Sequence, residues 1–86
     1  MPQDELDKKT LAQLTELKEN IAANLRRQRK KLELTQERIA EECGVNVSIV
    51  QRLETARLND PVLSTFVKIC WGYQLSIKEL LAPPRK

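Results

Sequence analysis

Apolar side chains recur along this chain at helical spacing. Leu14, Leu17, Ile21, Leu25 and Leu32 fall three, four and seven residues apart, so they line one stripe of an amphipathic helix. No Gly or Pro interrupts residues 4–32, and the spacing predicts one helix, or two consecutive helices, over that stretch. Thr10 followed by Gln13 resembles a capping box and marks where a second helix would begin. Thr35 is suited to cap a helix over 36–43, and Asn46 to cap another over 47–54. After a polar connection at 55–60, Pro61 fits the first turn of a fourth helix whose broad apolar face ends near Tyr73. The capping box Ser76 to Glu79 opens a last short helix through Leu81, and residues 83–86 form a loose basic tail. Nothing alternates with period two for long enough to argue a sheet.

The densest signal is the window QERIAEECGVNVSIVQRLET, residues 36–55. Ile39, Cys43, Val45, Val50 and Leu53 are apolar, Ala40 is small where two helices must approach, and Gly44 stands at the turn between them. Glycine reaches positive φ without a Cβ penalty, so Gly44 can end one helix while Asn46 caps the next. Two short helices joined in this way read as a DNA-binding helix-turn-helix.

Composition narrows the alternatives. A chain of 86 residues is near the lower limit for a self-sufficient core, and dimerisation would help it. With 41% hydrophobic but only 3% aromatic residues, the material suits an aliphatic helical bundle. There is no apolar run after a basic start, nor a stretch approaching the roughly 20 apolar residues needed to span a bilayer. The expectation is a soluble, cytoplasmic protein with no membrane association. Cys43 and Cys70 are the only cysteines, histidine is absent, and no CxxC-type spacing occurs, which argues against a metal site. Both thiols sit at apolar positions of helical patterns and are expected as small buried hydrophobes. With neither a histidine nor a nucleophile motif nor a glycine-rich phosphate loop, no enzyme and no cofactor are expected.

The net charge of +3 is unevenly spread. Residues 1–19 carry three Lys against five acids, or −2, whereas residues 20–86 carry twelve bases against seven acids, or +5. Arg26, Arg27, Arg29, Lys30 and Lys31 form a run that complements a helix C-terminus in any fold. Next to a helix-turn-helix window it also suits phosphate neutralisation.

The order of helices, the segment LTQERIAEECGV and the trailing PVLSTFVKICWGYQLSIKELL together resemble the phage repressor and Cro type of helix-turn-helix regulator, the XRE family. The likeness covers about residues 21–81. It implies an all-α, compact five-helix lambda-repressor-like DNA-binding domain over residues 20–82, with residues 1–19 left as a helical N-terminal extension. It also implies sequence-specific binding to a double-stranded DNA operator, generally as a two-fold homodimer.

Carried over by position, the resemblance assigns Val47, Ser48, Gln51 and Arg52 to reading base edges in the major groove. Arg52 suits guanine, since a guanidinium can bond O6 and N7 together; Val47 offers only an apolar contact where relatives carry Gln, or simply packs. Gln36, Asn46, Arg57 and Asn59 are assigned to the DNA backbone, Gln36 supported by the free N–H groups of a helix N-terminus. Arg29 and Glu54 match a pair forming a scaffold salt bridge between the first and third helices. Ala56 and Gln74 stand where relatives carry Gly, so those turns are either strained or end differently. Trp71 either joins Tyr73, Leu75, Ile77 and Leu81 in a dimer contact or tucks against the fifth helix or the extension. The extension, with Leu6, Leu11, Leu14 and Leu17, is the other candidate for dimerisation. The expected function is transcriptional regulation, as a repressor. An antitoxin or restriction-modification controller of the same fold, or a protein-interaction module with little DNA affinity, are the alternatives.

Overall fold

A computed structural model describes residues 3–84 of the chain. Five helices follow in order: α1 (Gln3–Lys31), α2 (Gln36–Cys43), α3 (Val47–Glu54), α4 (Leu63–Tyr73) and α5 (Ile77–Leu81), with no strand among the described residues. Arg85 and Lys86 of the expected tail lie outside them.

The 29 residues of α1 run without a break, so Thr10 does not start a second helix. At about 1.5 Å per residue the helix measures about 43 Å, close to the longest dimension of the molecule, 46 Å. The helix meets the body from Leu14 onward: residues 4–13 are exposed, whereas Ile21, Ala22 and Leu25 are buried. Acids in its first turn and bases in its last complement the helix dipole.

The caps read from sequence form as hydrogen bonds. Thr35 accepts from the Arg38 N–H (3.1 Å), Asn46 from the Ser48 N–H (2.9 Å), and Ser76 and Glu79 make a reciprocal box. Gly44 closes α2 in the left-handed region at φ 70. The left-handed residue after α4 is Gln74, and Ala56 takes the same conformation after α3, so both turns keep the geometry that glycine would favour. The fourth helix starts at Leu63 rather than at Pro61, with Val62 at the N-cap position and no side-chain cap bond. Pro61 instead precedes the cap and shares a cavity wall with Phe66 four residues into the helix, the arrangement of a hydrophobic staple.

Ile39, Val50, Leu53, Ile69, Tyr73 and Leu80 meet Ile21 and Leu25 in one core. Gly72 lets α4 approach α2: a Cβ there would come within 2.1 Å of the Cys43 sulfur. Amide side chains of α1 tie down two helix ends. Asn24, buried, donates to the carbonyls of Leu80 (2.9 Å) and Ala82 (2.7 Å) around the end of α5, and Gln28 donates to the Tyr73 carbonyl (2.9 Å) at the end of α4. Those acceptors are carbonyls that a helix leaves unpaired at its C-terminus. Cys43 is buried and Cys70 half-buried, both as free thiols, and burial pushes the Cys43 thiol up to about 11. Among the described residues no helix is long and apolar enough to cross a membrane.

Candidate nucleic-acid interface

The eight residues of α3 divide cleanly by face. Val50, Leu53 and Glu54 are buried, while Ser48, Gln51 and Arg52 are exposed. The division follows from apolar residues three apart at 47, 50 and 53, which turn one side of a short helix inward. Val47 lies between: it is half-buried and packs on the core edge, so only part of its side chain faces out. The Asn46 side chain is committed to the cap of this helix, though it remains exposed.

Glu54 fixes where α3 sits. Its carboxylate is fully buried and accepts from both the Arg29 Nε (2.9 Å) and Nη2 (2.9 Å), from the Tyr73 hydroxyl (2.7 Å) and from the Gln36 amide (3.3 Å). Side chains of α1, α2 and α4 therefore converge on one residue of α3. Arg26, also on α1, donates to the Glu54 carbonyl and so holds the end of the same helix. Burial by itself would raise the Glu54 pKa, but the hydrogen bonds from Arg29, Tyr73 and Gln36 outweigh it and hold the carboxyl below its ordinary value. Burial, then the bond to Glu54, pushes the Tyr73 hydroxyl far above the usual phenol value, so it stays a donor.

This cluster places Gln36 beside α3. The residue is half-buried at the first position of α2, where the helix N-terminus and its unpaired N–H groups favour an anion. One amide hydrogen goes to Glu54, which orients the side chain and leaves the other free to donate. Arg57 follows α3 on the exposed connection, its backbone N–H bonded to the Arg52 carbonyl (2.8 Å). Asn59 is exposed too, but its side-chain oxygen accepts from Lys18 of α1 (2.7 Å), which leaves only its amide nitrogen to donate elsewhere.

The structure thus brings Arg29, Gln36 and Glu54 into contact and sets Ser48, Gln51 and Arg52 on an outward face, with Arg57 just beyond it. Sequence reasoning missed Tyr73 as a partner of Glu54 and grouped it with Trp71 in an exposed contact. Tyr73 has no place in that contact: it is completely buried, and residues two apart on a helix point to different faces. Arg26 was a backbone-contact candidate and instead braces α3. Asn24 lies within the apolar spacing of α1, and its polar character at a core-facing position was the available signal. Among the described residues no three His, Cys, Asp or Glu side chains cluster as a metal would need.

Comparison with known proteins bears on this geometry. A family model described as a helix-turn-helix domain matches residues 20–82. The crystal structure of the hypothetical transcription factor NHTF from Neisseria superposes with a TM-score of 0.72 at 31% sequence identity, over 79% of this chain and 77% of that one. No curated protein matches the sequence.

Proposed function

The chain belongs to the helix-turn-helix domain family, and we propose that it is a sequence-specific DNA-binding transcriptional regulator of the phage repressor and Cro type, non-enzymatic and cytoplasmic. The observation that carries this reading is the outward face of α3, with Ser48, Gln51 and Arg52 exposed beside a helix N-terminus bearing Gln36. In the proposed complex α3 enters the major groove, where Arg52 reads guanine, Ser48 and Gln51 bond base or phosphate atoms, and the free edge of Val47 meets a thymine methyl. Gln36 and the N-terminus of α2 hold a phosphate on one flank, with Asn46, Arg57 and the Asn59 amide as further backbone contacts. The 31% identity to a protein named as a hypothetical transcription factor supports the regulatory role. The reading includes a two-fold dimer on a palindromic operator, its two α3 helices about 34 Å apart, and repression by occupying a promoter.

Selecting bound duplexes from a random pool tests this directly, and a palindromic consensus is the expected result. On that consensus, Arg52→Ala is expected to cost about 1–3 kcal/mol while changing affinity for random DNA little, and Gln36→Ala to weaken both. Equal losses on both DNAs for Arg52→Ala would remove its base-reading role. A second reading, a protein-interaction module with little DNA affinity, draws on the exposed Trp71 and the apolar extension. Retention on heparin that collapses with salt would speak for DNA, and salt-independent behaviour for the module.

A further inference from the structure

Two surfaces expose large apolar side chains among the described residues. One is a groove of about 710 Å³ between α4 and α5, with Leu63, Val67, Trp71 and Ile77 in its walls. Leu63 is 82% exposed and Trp71 80%. The other is the first half of α1, residues 4–13, which runs beyond the body with Leu6 and Leu11 exposed.

We propose that these two surfaces are complementary, the projecting half of α1 acting as an arm that lies in the α4–α5 groove of a second copy of this chain. The proposal rests on the two-fold dimer proposed above and names its interface. Three observations favour a second copy as the occupant. First, the surfaces are continuous. Phe66 lines the groove and also the cavity that Leu14 and Leu17 of α1 share with Leu58 and Pro61, so the arm leaves the body beside one end of the groove. Second, their charges are opposite. The arm, residues 4–13, carries Asp4, Glu5 and Asp7 against Lys8 and Lys9, or −1, whereas residues 63–81 carry Lys68 and Lys78, which directly follow the groove residues Val67 and Ile77, against Glu79, or +1. Third, the groove is long enough for both leucines. Leu6 and Leu11 lie about 7.5 Å apart along their helix, within the span of about 12 Å from Leu63 to Trp71. Two-fold symmetry repeats the contact, so each dimer buries both arms and both grooves.

Cysteine cross-linking of the full chain separates the occupants. Cys70 is native, half-buried and part of the groove wall. In Leu11→Cys treated with oxidised glutathione, a disulfide-linked dimer is expected, and it should vanish when Cys70→Ser is added. A cross-link that survives Cys70→Ser would show arm meeting arm and overturn the proposal. As the only tryptophan, Trp71 reports burial without a label. Its emission should shift to the blue as concentration rises, and Leu11→Asp should raise the dimer dissociation constant roughly tenfold or more while leaving the helical circular dichroism intact. Dimers indifferent to Leu11→Asp would overturn the arm and leave the two-fold dimer standing. A chain that sediments as a monomer throughout would remove both, while the Arg52→Ala comparison on DNA would still stand as its own test of α3.

Discussion

Glu54 is a carboxylate without solvent exposure whose oxygens accept hydrogen bonds from three other helices. A buried ion pair adds little to stability compared with a well-packed apolar pair, because desolvation offsets the attraction. Removing one partner, however, strands the other charge and costs about 3–5 kcal/mol. Glu54→Gln is therefore expected to lower the urea-unfolding free energy by about 3 kcal/mol, leaving Arg29 beside a neutral amide. The pH dependence has a definite sign. The folded carboxyl titrates below its unfolded value of about 4.3, so its stabilisation is complete above that pH and is lost as pH falls through the folded value. Unfolding midpoints between pH 7 and 3 should fall more steeply for the native chain than for Glu54→Gln; parallel curves would show that the cluster contributes nothing through its charge. The pairing of Arg29 with Glu54 was legible through the family pattern. The bonds from Tyr73 and Gln36 were not, since contacts 19 and 18 residues apart in sequence leave no periodic trace.

Helix ends are where sequence and structure agree best, because caps are local. Thr35, Asn46 and Ser76 each bond a backbone N–H two or three residues on, which a single chain segment decides by itself. Pro61 shows the limit of that locality. Its fixed φ suits the first helical turn, yet packing with Phe66 against α1 places it before the cap, a choice made by residues more than 40 positions away. The turns form a natural contrast: Gly44 holds φ 70 with nothing within 4 Å of where a Cβ would lie, whereas Ala56 holds φ 58 with its methyl in place. Left-handed backbone costs an L-residue about 1–2 kcal/mol. Gly44→Ala should accordingly destabilise by about 1 kcal/mol through backbone strain alone, and Ala56→Gly should stabilise by up to about the same amount. In thermal melts of a domain this size, each shift would be about 4–8 °C, in opposite directions. The reverse pattern, Gly44→Ala stabilising and Ala56→Gly destabilising, would mean that unfolded-state entropy, not strain, controls these turns.

At the scale of the whole molecule, charge and shape separate into two ends: an acidic helix half standing away from the body, and a basic remainder that carries α3. The all-helical architecture was legible from periodicity, since every helix buries a stripe that its spacing announces. How far α1 projects was not, because the same apolar stripe continues through Leu6 and Leu11, which are exposed. Within the basic remainder, several positive charges are already engaged: Arg29 pairs with Glu54, Arg38 with Glu41 and Glu42, and Arg26 braces the end of α3. Counting all twelve bases would therefore overstate the phosphate contacts available. Arg57, exposed on the connection after α3, is placed to make one. Each neutralised phosphate steepens the fall of log K with log salt by about 0.9 in B-DNA. Arg57→Ala is expected to weaken operator and random DNA alike and to reduce that slope by about 1 for each subunit bound. Fluorescence anisotropy on both duplexes across a salt series measures it. A slope that stays the same while affinity for the operator alone declines would move Arg57 from the phosphate backbone to the reading of bases.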